Sequence, residues 1–292
     1  NTQYFLGAIS SEGSRLYFPL LYLLKEPLGY HLLSLVTLAV AVRRIRKPAT
    51  GERWWLRAGR WIRSHPAEFV IVFFIAFYWA YTVAQPLNIG IRHVLPTFPW
   101  IFLLVAREII MWIRGHSTPT PQTWREFLLA IARVTIFRAP KQVVTAVLLA
   151  ASVTSSLAVF PHYLSYYNAL GGGTANGYEI ATDSNYDWGQ DLVRLKQYAA
   201  EHGIQKIAVD YFGGGDAGYY LGEKFEPWWS SRGYPPGGGW LAISANALMG
   251  AYGDIGPGFS RKPEDSYEWL KPFRPVDRAG TSIFIFHLPP RP

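Results

Sequence analysis

Arg92 and His93 stand in the stretch NIGIRHVLPTFP (Asn88 to Pro99), between runs as apolar as FVIVFFIAFYWAYTV and WIFLLVA. A guanidinium presents N–H donors in a planar fork and grips a phosphate through paired charge-assisted hydrogen bonds. His93 can add a donor, and Asn88 and Gly90 would let the backbone approach such a group closely. The plainer reading is an arginine whose stem lies along apolar surface while its head reaches water. Lys25 and Glu26, in KEPLG, interrupt another apolar stretch. They read as a charge pair at a helix start, with Lys25 available as a point charge for the same phosphate.

A second constellation is TDSNYDWGQDL, with Asp183, Asn185, Asp187, Trp188, Gln190 and Asp191. Its opening resembles a calcium loop, but Gly189 falls at the seventh position instead of the sixth, and Arg194 stands where a bidentate glutamate is needed. A divalent cation is therefore weakly supported, no metal ligand is assigned, and no cofactor is expected. Paired carboxylates would also suit glycoside hydrolysis at separations of about 5–10 Å. The commonest use of such a cluster is a turn and a helix N-cap, with Ser184 or Asp187 capping. The run GGGDAG (213–218) matches a dinucleotide fingerprint in letters only, because YYLGEKFEPWW breaks into glycine and proline where a full helix is required. It reads as a turn.

The elements that carry these residues follow from composition. Half of the 292 residues are hydrophobic and only 16% are charged, below the roughly 25% usual in soluble domains. The net charge is +8, and the excess cations lie in residues 1–161, the greasy half. That is the reverse of a basic nucleic-acid-binding tail, so no nucleic-acid partner is expected. With no cysteine, disulfides and thiolate metal sites are excluded. The chain opens on NTQYFLGAIS, without initiator Met or signal-peptide pattern, and is expected to be a fragment or processed product.

Four apolar runs, near 27–42, 67–85, 94–113 and 142–161, read as membrane spans, the first short unless it extends back through LYFPLLYLL across Pro27. The connectors after the first and third runs are rich in arginine, whereas QPLNIGIRHV carries one cation. By the positive-inside tendency, both basic connectors lie on the cytoplasmic face. Residues 1–26, the NIGIRH turn and everything after Pro161 then share the outer face. Trp54, Trp55, Trp61, Trp112 and Trp124 fall near the inner ends. WREFLLAIARVTIF (124–137) reads as an amphipathic helix on the inner surface. After 161 the texture changes: DWGQDLVRLKQYAAEHG reads as a helix stopped by glycine, YEWL as a short helix, and IQKIAVDYF, GWLAIS and TSIFIFHL as strands. The expected fold class is mixed, a transmembrane domain (1–161) of about four helices followed by a small α/β extracytoplasmic domain (162–292), in a multi-pass plasma (inner) membrane protein.

YFPLLYLLKEPLG, NIGIRHVLPTFPW and PHYLSYYNALGGG…DSNYDWGQDLVRLK, in that order, resemble the C-terminal half of bacterial membrane glycosyltransferases. These are of the dolichyl- or polyprenyl-phosphate-mannose protein mannosyltransferase type, with the C-type glycosyltransferase fold. The resemblance runs from about residue 4 to RPVDRAGTSIFIFHL, and DSNYDWGQDL is its most specific motif. It implies a sugar transferred from a polyprenyl-phosphate donor to a glycan, lipid or protein acceptor on the extracytoplasmic side. Arg92, His93, Lys25 and Asn88 are the implied substrate-binding positions. Asp183, Asn185, Asp187, Trp188, Gln190 and Asp191 form a site wall or a structural hinge. The family's catalytic Asp belongs to an outer loop upstream of Asn1, so no catalytic residue is assigned and this fragment alone is expected to be inactive. Two other classes remain open: a membrane-anchored glycan-binding protein, and an outer-face hydrolase using Asp183, Asp187 or Asp191.

Overall fold

The computed structural model describes residues 2–46, 53–115 and 121–291. Lys47 and Glu52, in the basic connector after the first apolar run, lie outside the described residues. The helices are α1 (Tyr17–Lys25), α2 (Leu28–Arg46), α3 (Trp54–Ser64), α4 (Pro66–Ala84), α5 (Phe98–Arg114), α6 (Trp124–Arg133), α7 (Ala139–Leu157), α8 (Gly173–Asn176), α9 (Leu192–Glu201), α10 (Ala217–Leu221) and α11 (Ala245–Tyr252). The strands are β1 (Gln3–Phe5), β2 (Ala8–Ser10), β3 (Ile207–Asp210), β4 (Phe225–Pro227), β5 (Gly239–Ser244), β6 (Asp254–Ile255), β7 (Asp277–Ala279) and β8 (Ile283–Leu288).

Packing divides the chain into two compact units, and the first is discontinuous: Asn1–Lys25, Val83–His93 and Val159–Pro292. Its five-stranded sheet has the order β4-β3-β5-β8-β7, with β3 parallel to β4 and β5, and β8 antiparallel to β5 and β7. Leu192, Leu195 and Ala199 recur at helical spacing on one face of α9 and pack on Ile207, Val209, Ala242, Ile283 and Ile285. Leu241 and Ile243 alternate with Ala242 and are equally buried, so β5 is covered on both faces. The helix at 192–201, the short turn at Glu268–Leu270 and the strands β3, β5 and β8 lie where the sequence patterns place them.

A second, three-stranded sheet has the order β1-β2-β6. The hairpin β1–β2 lays Ala8 and Ile9 in parallel register with Asp254 and Ile255. The backbone N–H of Leu6 donates to the Ile180 carbonyl at 2.8 Å. These bonds draw the start of the chain into the same unit as its end.

The second unit is Glu26–Thr82 and Val94–Ala158. Three of its helical stretches, Pro66–Ala84, Leu95–Arg114 and Trp124–Leu157, are long and apolar enough to cross a membrane. At 1.5 Å per residue, 19 or 20 residues reach about 30 Å, the thickness of a hydrocarbon core. Their large apolar side chains are mostly exposed, among them Phe73, Phe77, Leu103, Val147 and Val153, a surface that suits lipid better than water. Leu28–Arg43 is a shorter apolar helix. Pro27 separates α1 from α2, so the first run does not continue backwards as one helix.

The segment 124–137 departs from expectation. It is not a separate surface helix but the first part of one stretch of 34 helical residues. Thr123 and Glu126 form a capping box at its start. Pro140, in the first turn of α7, cannot donate to the preceding turn, and a π-helical turn at Val134–Arg138 carries the helix past it.

Candidate functional site

The turn bearing Arg92 is held by the DSN turn. Ser184 Oγ donates to the Ile89 carbonyl at 2.9 Å, and the Ile91 N–H donates to Asn185 Oδ1 at 3.0 Å. Between these two bonds sits Gly90, with φ +121°, where a Cβ would overlap Ser184 Oγ. Glycine does allow a close approach here, but of a serine. Asn185 is fully buried and its amide donates to Tyr17 Oη at 2.8 Å and to the Thr182 carbonyl at 3.1 Å. Asp183 begins the turn at φ +56°, a conformation that side chains other than glycine adopt with strain and aspartate tolerates better than most.

Asn88 anchors the other end of the segment. It is buried, and its Oδ1 accepts from Gln3 Nε2 at 3.1 Å and from the Ser14 N–H. Lys25 likewise works within the fold: its ammonium donates to the carbonyls of Leu164 and Asn185 and lies 4.5 Å from the centre of the Tyr167 ring.

Arg92 is exposed. Its guanidinium carbon lies 5.1 Å from the centre of the Trp188 ring, a cation–π contact worth about 0.5–1 kcal/mol at an exposed site. Trp188 is 48% exposed and meets Phe212 edge-on at 5.7 Å. His93 sits beside Phe18 at 6.5 Å, and its Nε2 is buried without a hydrogen-bond partner among the described residues. Burial first, and the Arg92 charge second, hold His93 below its ordinary pKa. It is therefore the neutral imidazole at pH 7. Burial raises the Asp183 carboxyl, while the Ser184 N–H and Arg92 pull it back.

Asp187 and Asp191 are fully buried. Neither Ser184 nor Asp187 caps α9, as expected from sequence; Asp191 holds the N-cap position without making the cap bond. Asp187 instead accepts from the N–H of Asn246, in the first turn of α11, at 3.2 Å and from the Gly189 N–H at 3.2 Å. Asp191 Oδ2 gathers the N–H groups of Thr281 and Ser282, both at 2.9 Å, together with their hydroxyls, while Oδ1 accepts from Arg194 at 2.6 Å. Gly280, at φ +63°, leaves room for that carboxylate. Gln190 donates to Ser165 Oγ and to the Tyr186 carbonyl. The motif is a knot of satisfied buried polar groups, tying α9, α11 and the β7–β8 turn together. Both carboxylates, Asp187 and Asp191, are thus enclosed and hydrogen-bonded within the fold, while Asp183 is half-buried.

Among the described residues no group of three His, Asp or Glu is placed to hold a metal ion. The structure therefore brings Arg92, His93, Asp183 and Trp188 to one surface, and gives Asn88, Lys25, Asn185, Asp187, Gln190 and Asp191 the work of holding it. Sequence reasoning missed Tyr17, Ser165, Asn246, Thr281 and Ser282, partners that carry no local signal. No family model, curated protein or solved structure matches this chain.

Proposed function

We propose that the chain belongs to an integral-membrane glycosyltransferase that takes a sugar from a polyprenyl-phosphate donor, with Arg92 contacting the donor phosphate. The observation that carries this reading is an exposed guanidinium lying over the Trp188 ring, on a turn whose backbone is fixed by Ser184 and Asn185. Preorganised positive charge lowers the barrier to departure of a phosphate leaving group without reorganisation during the reaction. Neutral His93 beside it adds a hydrogen-bonding group without a second charge.

The reading includes a membrane domain of four spans, with Leu28–Arg43 as the short first one, and an extracytoplasmic C-terminal part. Alternating topology assigns residues 1–26, the NIGIRH turn and the chain after Pro161 to one face. These are, within a few residues, the three segments that make up the first compact unit, which supports that assignment. The acceptor is a glycan, lipid or protein, and the general base is not assigned to any residue of this chain.

The test is Arg92→Ala in the full-length protein, assayed in membranes with a polyprenyl-phosphate sugar. Turnover is expected to fall by about 100-fold or more at unchanged expression. Full activity in that variant would end the assignment.

A further inference from the structure

Trp188 stands apart from the motif that carries it. Of residues 182–191 it alone is exposed, yet its position is fixed. Its backbone N–H donates to Gln190 Oε1 at 2.8 Å, and the Tyr211 hydroxyl donates to the carbonyl of the next residue, Gly189, at 3.0 Å. Phe212, which meets the indole edge-on, is itself held by a bond from its backbone N–H to Ser244 Oγ at 3.0 Å. A large aromatic ring turned to solvent and locked from behind is a preorganised contact surface. Arg92 lies over that ring, and its charge also acts on the half-buried Asp183 carboxyl, whose Oδ1 accepts from the Ser184 N–H.

We infer that Trp188 and Asp183 form a sugar subsite beside Arg92, the indole stacking on a pyranose ring and the carboxyl accepting from its hydroxyls. The inference rests on the transferase reading and deepens it, by assigning recognition of the donor's sugar to this chain. In a glycosyl phosphate the sugar is bonded directly to the phosphate, so the group that meets the sugar must neighbour the group that grips the phosphate. Trp188 neighbours Arg92. The pairing of an aromatic face with a carboxyl selects among the parts of the donor. A pyranose offers C–H groups to the indole and O–H donors to the carboxyl. A prenyl chain would suit the indole and leave the carboxyl desolvated without a donor. A phosphate would be repelled by the carboxylate.

The test measures binding of three probes to purified full-length protein: farnesyl phosphate, and farnesyl phosphate carrying mannose or glucose. At least one sugar-bearing probe is expected to bind about tenfold tighter than farnesyl phosphate, which corresponds to about 1.4 kcal/mol. Trp188→Ala removes that preference and leaves binding of farnesyl phosphate in place. Trp188→Phe, which keeps an aromatic face, retains most of the preference and separates a lost platform from a lost fold. Asp183→Asn, with a side chain that tolerates the same backbone conformation, lowers the preference about threefold by weakening a charge-assisted bond. Arg92→Ala weakens all three probes alike. A preference left whole in Trp188→Ala or in Asp183→Asn would overturn the proposal. Equal binding of the three probes, weakened by Arg92→Ala, would also overturn it and leave the donor-phosphate reading standing. A preference that depends on Trp188 and Asp183 but not on Arg92 would do the reverse, and binding of no probe would end both.

Discussion

Asp187 shows how a conspicuous carboxylate can serve the fold and leave its mark on pH dependence. Burial pushes its carboxyl up from 3.8 to about 6, against the pull of the Asn246 and Gly189 N–H groups. Between those two values the folded chain binds the proton more tightly than the unfolded chain does. The contribution of Asp187 to stability is therefore fully present below about pH 4, is lost as pH rises to about 6, and stays absent beyond. Two pKa units correspond to about 3 kcal/mol. Asp210, bonded to Tyr267 at 2.7 Å and also raised to about 6, adds to the same fall. Asp187→Asn is expected to make the loss between pH 4 and 6.5 about half as steep in denaturant titrations, with the Asp210 share remaining. An unchanged slope would show that Asp187 does not titrate in this window. That Asp187 and Asp191 are chemically prominent was plain from the sequence; that both are enclosed was not, because enclosure depends on Asn246 and Ser282, 59 and 91 residues away in the chain.

At the scale of elements, the clasp between the Ile89–Ile91 turn and the DSN turn depends on Gly90. Alanine there meets both a backbone conformation at φ +121° that L residues rarely adopt and a clash with Ser184 Oγ. Gly90→Ala is expected to cost about 2 kcal/mol or more in unfolding experiments. Adding Ser184→Ala should recover the steric part and not the conformational part, so the two effects will be non-additive. Strict additivity would mean that the turns do not meet as described. Elements with a short-range signature were legible: the Leu192, Leu195, Ala199 spacing, the glycine after α9, and the continuous apolar runs of β3, β5 and β8. The continuity of 124–157 was not, because Pro140 reads as a break in sequence whereas a π turn absorbs it. The hairpin β1–β2 was also hidden, since strands of three residues carry almost no pattern.

For the whole molecule, the proposed sidedness can be tested directly. With no cysteine in these 292 residues, a single substitution here reports without background from this part of the protein. Tyr219, 81% exposed in the first unit, and Arg60 on α3 are assigned to opposite faces by the topology proposed above. In intact cells a membrane-impermeant thiol reagent should modify Tyr219→Cys and reach Arg60→Cys only after the membrane is opened. Labelling of both before permeabilisation would refute the topology. The two textures of the chain, greasy and basic before residue 161 and glycine-rich after it, were readable at once. The charge pattern grouped residues 1–26 and the NIGIRH turn with the chain after Pro161, but that these segments pack into one compact unit was not readable, since no local pattern encodes which distant segments pair.

The pairing of β2 with β6 sets a condition on biosynthesis. Ala8 finds its register partner at Asp254, so the hairpin must wait for a strand that is translated much later. At about 5–20 residues per second, the delay is roughly 10–50 s. Throughout that interval one edge of the hairpin offers unsatisfied backbone groups to whatever else is nearby. A nascent chain stalled before residue 254 is thus left with an adhesive edge, and its safe maturation calls for a holding factor or for rapid clearance.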